Sequence, residues 1–141
     1  MTFSEEIKAY ARSLGFDACG ICRAEESGEE ARYMAWLSEE CHAGMSYLER
    51  NIEKRLDPRL LVDGAKSIIS VALNYFPHRF RHEDAPRFAY YAYGEDYHDV
   101  VKKKLSRLLE FIQGRSPGVS GRYFSDSAPV LERFWAARAG L

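Results

Sequence analysis

The sequence predicts an α/β or α+β sandwich, a mixed sheet flanked by helices. Three observations carry that reading. Amphipathic stretches with a period near 3.6 recur along the chain, short apolar runs of strand length lie between them, and capping or turn residues mark the boundaries. With 141 residues there is room for one domain and little more.

The first helix is announced by Thr2-Phe3-Ser4-Glu5, in which hydroxyl and carboxylate can each satisfy a free backbone N–H. Ile7, Tyr10, Ala11 and Leu14 then share one face, and Gly15 stands where a helix ends. Residues 16–22 form an apolar run read as the first strand. From Glu29 to about Cys41 the pattern is helical, Gly44 interrupts it, and residues 45–54 resume as a short helix. Asp57-Pro58 reads as an N-cap followed by proline at the first helical position, and Asp63-Gly64 as the stop. Residues 66–75 are almost continuously apolar and predict a central strand. A loop with two prolines follows over 76–86, and the aromatic-rich 87–93 predicts another strand. Asp96 caps a long helix reaching about Gln113, with Val100, Leu105, Leu108 and Ile112 on its apolar side. A Ser/Gly/Pro loop leads to a short strand at 122–125 and a last helix started by Pro129. That helix runs into Ala139-Gly140-Leu141 without a polar tail, so the chain is expected to be part of a longer protein.

Composition excludes several classes. With 46% hydrophobic and 29% charged residues the chain is neither disordered nor fibrous. Twenty basic against twenty-one acidic residues, a net charge of −1, exclude a wholly basic nucleic-acid binder while leaving room for a local patch. No run of about 18 apolar residues predicts a membrane span, and the acidic N-terminus is unlike a signal peptide, so a cytoplasmic location is expected. Cys19, Cys22 and Cys41 cannot pair completely, and Cys19-Gly-Ile-Cys22 lies inside a strand run, where two small buried hydrophobes are the simpler reading. A [4Fe–4S] cluster needs four thiolates, which this chain does not supply.

Phosphate-cradling glycine loops, a nucleophile elbow and a zinc helix motif are all missing. His78 and His82 are four apart but lie in a proline-bounded loop with no further ligand at fixed spacing, so zinc is not expected. Lys102-Lys103-Lys104 reads as a solvated helix face. His78-Arg79-Phe80-Arg81-His82 alternates cations with a ring and suits nucleic acid, though a solvated loop explains it equally well. The most informative cluster is Tyr91, Tyr93, Gly94, Asp96, Tyr97 and His98 around one turn into a helix. Open α/β sheets bind ligands at such turns. A second turn places Asp126 before Pro129, where spacing alone favours a helix cap over a catalytic acid.

Five stretches, taken together and in order, resemble the N-terminal half of the epoxyqueuosine reductase family, cobalamin-dependent iron–sulfur enzymes of the last step of queuosine synthesis on tRNA. They are Leu14-Gly-Phe-Asp-Ala-Cys-Gly-Ile21; Trp36-Leu with His42-Ala-Gly-Met-Ser-Tyr-Leu48; Lys54-Arg-Leu-Asp-Pro-Arg-Leu-Leu61 with Gly64-Ala-Lys; Tyr93-Gly-Glu-Asp-Tyr-His98; and Asp126-Ser-Ala-Pro-Val-Leu-Glu132 with Ala137-Arg-Ala-Gly-Leu141. The resemblance implies an α/β sandwich over residues 1–141 that holds base-off cobalamin and is related to the corrinoid domain of reductive dehalogenases. It implies that Asp126, in the D-x-x-P segment, is the active-site acid. Arg133, seven residues later, and Arg55, in the R-L-D-P-R segment, are implied to lie at the corrin and its substituents. Tyr91, three residues before the glycine of G-x-D-Y-H, is implied to touch the corrin, although some relatives carry cysteine there. Relatives continue with a ferredoxin-like module that holds two [4Fe–4S] clusters. None of it is in this chain, which alone is expected to be inactive. Rival expectations are a related corrinoid reductase of a small molecule and a non-catalytic scaffold that keeps the fold.

Overall fold

The computed structural model describes residues 1–141. Backbone contacts divide them into two compact units, Met1–Cys19 with Val71–Asp126, and Gly20–Ser70 with Ser127–Leu141. The division falls inside both strands of the sheet. Strand β1 (Ala18–Arg23) and strand β2 (Ser67–Ala72) form an antiparallel pair. The Asp17 amide donates to the Ala72 carbonyl at one end, and the Ala24 amide to the Lys66 carbonyl at the other.

In the first unit, helix α1 (Phe3–Ser13) has the expected capping box: the Glu5 amide donates to Thr2 Oγ1, and the Thr2 amide donates to the Glu5 carboxylate. Gly15 ends it with φ of 87°, a left-handed turn that costs glycine least. Helix α4 (Tyr97–Arg115) packs along α1. Tyr10 stacks on Phe111 with ring centroids 4.2 Å apart, and Arg115 pairs with Glu6. Lys104 crosses the apolar seam to donate its ammonium to the Leu14 carbonyl at the end of α1. Ile7, Ala11, Phe16, Leu108 and Ile112 are buried, so both helices point their predicted apolar faces inward.

In the second unit, helix α2 (Glu30–Ser38) ends three residues short of the expected stop. The helix expected over 45–54 is split by Asn51, whose φ of 56° no helix accommodates. A 3₁₀ turn (Ser46–Glu49) precedes it and helix α3 (Ile52–Leu56) follows. Asp57 then caps a second 3₁₀ turn (Pro58–Leu60), accepting the Arg59 amide as predicted. Helix α5 (Glu132–Arg138) closes the chain, with Trp135 buried and Arg138 paired with Glu25. Gly20 is buried where an added Cβ would lie 2.3 Å from the Ala139 carbonyl oxygen, so β1 and the end of α5 approach each other through a missing side chain.

Three strand expectations need correction. Residues 66–75 are not a central strand: β2 has one neighbour, β1, and is half-buried in its middle with both ends exposed. Residues 87–93 form no strand, because the Ala92 and Tyr93 amides close a 3₁₀ turn (Tyr90–Ala92) onto Ala89 and Tyr90, spending locally the groups a ladder needs. Residues 122–125 are irregular. The α/β class therefore stands with a sheet narrower than the mixed one expected. The C-x-x-C pair does lie in β1. Three residues apart on a strand, its thiols face opposite sides, and burial pushes both up from the usual thiol range, contrary to a reactive dithiol. No helix is long and apolar enough to cross a membrane.

Candidate functional site

The site is built on the entry to α4. Gly94, with φ of 83°, turns the chain, and Asp96 caps the helix by accepting the His98 amide at 2.9 Å. The same carboxylate oxygen meets His98 Nδ1 at 2.9 Å. Hydrogen bonding from the His98 backbone, then from its ring, holds the Asp96 carboxyl below its ordinary range. The cap fixes Tyr97 on the first turn of α4. There its ring stacks on His98 at 4.1 Å and meets the edge of Tyr91 at 6.0 Å, and its hydroxyl donates to Asp126 Oδ2 at 2.7 Å.

Asp126 is exposed and has φ of 50°, a left-handed conformation that Asp and Asn tolerate better than most residues. It does not cap the final helix. α5 starts at Glu132 with Leu131 before it and no side-chain cap. Pro129 disfavours the helical region for Ala128, and the Val130 amide turns back onto the Ala128 carbonyl, which moves the helix start past the proline. The cap reading of Asp126 and the Pro129 helix start are both corrected. What remains at Asp126 is a carboxylate presented on a bent loop and held by a phenol.

Of the four residues singled out, the first unit thus joins two: Tyr91 reaches Asp126 through Tyr97. The other two belong to the second unit. Arg55 is buried, with Nε donating to the Arg50 carbonyl at 3.3 Å and Nη2 to the Tyr47 carbonyl at 3.1 Å. Much of its donor capacity therefore shapes the turn before α3. Arg133 is exposed on the first turn of α5. Sequence reasoning placed Tyr97 in the cluster at this turn but gave it no role and missed its bond to Asp126. The available signal was a hydroxyl-bearing ring directly after a helix cap, since a capped first turn is a rigid mount. No group of three or more His, Cys, Asp and Glu side chains is arranged to hold a metal.

The bond to Asp126 pushes the Tyr97 hydroxyl up to about 12, with desolvation second, because ionising the phenol would bring two anions together. A phenol whose folded value is raised contributes stability below the ordinary tyrosine value of ~10 and loses it as pH climbs toward the folded value. In an alkaline absorbance titration Tyr97 is expected to ionise late, well above the ordinary tyrosine value. Asp126→Asn removes the neighbouring anion and is expected to abolish that lag; an unchanged titration would show that the hydrogen bond does not form.

Comparison with known proteins places these residues in a family. A family model described as epoxyqueuosine reductase QueG, DUF1730, matches residues 55–127, more than half of the chain. An epoxyqueuosine reductase of Leadbetterella byssophila is 49% identical over 140 residues, covering 99% of this chain and 46% of the relative. Two solved structures share the fold. One is an epoxyqueuosine reductase with an epoxyqueuosine-modified tRNA stem loop (33% identity, TM-score 0.82, covering 96% of this chain and 37% of that one). The other is a Bacillus subtilis epoxyqueuosine reductase whose catalytic aspartate loop is swung out of the active site (32% identity, TM-score 0.77, covering 96% and 37%). This chain spans under half the length of the curated relatives it matches.

Proposed function

Because the chain belongs to the epoxyqueuosine reductase family, we propose that it is the N-terminal, cobalamin-holding part of an enzyme that reduces epoxyqueuosine to queuosine in a tRNA anticodon loop. The observation that carries this reading is Asp126, set on a bent loop at the end of the Tyr91–Tyr97 pair. A neighbour of the same fold has an aspartate-bearing catalytic loop, swung out of the active site in its structure. A cytoplasmic site of action goes with a tRNA substrate, and the two [4Fe–4S] clusters belong to the remaining half of the protein.

The residues present fit the cofactor. Tyr91 is 54% exposed against the Tyr97 ring, leaving apolar ring surface for a corrin. Arg133 is exposed and able to donate to the amide and phosphate groups around a corrin, and Arg55 holds the turn beneath its own guanidinium. The corrin brings its own nitrogens to cobalt, so the chain needs no metal-ligating cluster. Bound cobalamin supplies the electrons for the reduction. Losing an epoxide oxygen as water, with a carbon–carbon double bond left behind, consumes an electron pair and a pair of protons. Asp126 is the group we assign to pass a proton to the departing oxygen: its exposed carboxylate takes one proton from solvent and hands it on, and solvent supplies the other. Tyr97 holds its carboxylate in place meanwhile.

The test uses the full-length protein. Incubated with hydroxocobalamin and desalted, it is expected to stay coloured; with a chemical reductant it is expected to remove one oxygen from an epoxyqueuosine-bearing tRNA stem loop, read by mass. A colourless protein counts against the cofactor. A coloured, reduced protein that leaves the RNA unchanged counts against the substrate.

A further inference from the structure

The segment between β2 and α4 carries more exposed aromatic surface than a surface loop needs. Phe80 is 67% exposed and Tyr75 63%, and Phe76 and Phe88 are also more than half exposed. These rings are ordered into two ladders. One runs from Phe80 to Phe76 (5.8 Å), Tyr90 (5.4 Å) and Tyr93 (6.2 Å). The second runs from Tyr75 to Tyr91 (6.4 Å) and on to Tyr97, which holds Asp126.

Cations are set among the rings. Arg81 is used internally: its Nη1 donates to the His82, Glu83 and Ala85 carbonyls and folds the loop tip. Arg79 and Arg87 stand exposed, and the segment's two acidic side chains, Glu83 and Asp84, lie between them at the loop tip that Arg81 folds. Rings and arginines also mark protein interfaces, and what favours RNA is a solved structure of the same fold that holds an epoxyqueuosine-modified tRNA stem loop. Unpaired nucleotides match both features, since every base has a stacking face and every linkage a phosphate.

We infer that the first ladder, Phe80, Phe76, Tyr90 and Tyr93, forms a stacking platform for the unpaired bases that flank the reacting nucleotide, with Arg79 and Arg87 on the phosphates. This rests on the proposed function, in which the substrate is an RNA loop.

The test is direct binding of an epoxyqueuosine-bearing anticodon stem-loop RNA to the full-length, cobalamin-loaded protein, followed by fluorescence anisotropy. Phe80→Ala is expected to weaken binding about 5- to 150-fold, the range seen when one base-stacking ring is removed. Phe80→Trp keeps a flat face and is expected to bind like the wild type, whereas Phe80→Leu, apolar but not flat, is expected to bind as poorly as the alanine variant. Arg79→Ala is expected to flatten the salt dependence of log K by about 0.7 for each phosphate that the guanidinium neutralises. Unchanged affinity in Phe80→Ala overturns the proposal, and so does recovery in Phe80→Leu, which would assign the patch to an apolar protein partner. If the wild type binds the RNA and Phe80→Ala does not, yet no epoxide is reduced, the surface stands and the reductase reading fails. If reduction proceeds and the variants bind normally, the reverse holds.

Discussion

Asp126→Asn in the full-length protein is expected to leave folding and cobalamin uptake intact and to lower epoxide reduction about 10²–10⁴-fold, the usual contribution of a general acid. That loss is ~2.7–5.5 kcal/mol of transition-state stabilisation. Asparagine suits the test because it changes so little else. It has the same size, its amide oxygen can accept the Tyr97 hydroxyl, and it tolerates the left-handed backbone at φ of 50°. Alanine would be a poorer probe, since it loses the Tyr97 bond and adds left-handed strain of roughly 1–2 kcal/mol. An amide has no proton acidic enough to give to a departing oxygen, so geometry stays while acidity goes. Cobalamin retention, read from the visible spectrum, separates a lost acid from a lost cofactor site. Wild-type turnover in Asp126→Asn would remove Asp126 from the chemistry and leave it as a loop-forming residue bonded to Tyr97.

The parts of this fold legible in the sequence are those decided within a few residues. The Thr2–Glu5 box, the Asp57-Pro58 cap and the Asp96 cap each depend on one side chain reaching a nearby amide, and all three form as read. The apolar stripe of α4 is equally local, and Leu108 and Ile112 are buried accordingly. Where pairing had to be chosen over distance, the reading failed. Aromatic composition in 87–93 is as compatible with stacked exposed rings as with a strand, and the 3₁₀ turn decided it. At Asp126 the serine–alanine–proline spacing suggested a cap, but the proline pushed the helix away and a phenol 29 positions earlier took the carboxylate instead. Such a partnership leaves no trace in spacing. It does leave one in residue type, because a tyrosine on a capped first turn has its hydroxyl carried outward by a rigid mount.

Trp135→Ala is expected to have the largest effect on stability, about 3–5 kcal/mol, the usual cost of emptying a buried aromatic site. Set against a total of about 5–15 kcal/mol for a domain, this brings the protein close to unfolding. Trp135 is 1% exposed, its carbonyl accepts the Cys22 thiol at 3.9 Å, and it lies on α5, whose end is pressed against Gly20. Its indole nitrogen is buried without an acceptor, which costs about 1–3 kcal/mol. Trp135→Phe gives up some packing but also removes that orphan donor, so its loss is expected to stay below ~2 kcal/mol. Gly20→Ala works from the opposite side. Its methyl would sit 2.3 Å from the Ala139 carbonyl oxygen and 2.8 Å from the Ala139 methyl, so α5 must shift, at about 1–3 kcal/mol. Because Trp135→Ala leaves space for that shift, the double variant is expected to lose less than the two single losses added. Urea unfolding midpoints at constant slope compare the four variants with the wild type. A Trp135→Ala stability within ~1 kcal/mol of wild type would mean that the indole is not what holds α5, and strict additivity would mean that Gly20 and Trp135 act on α5 independently.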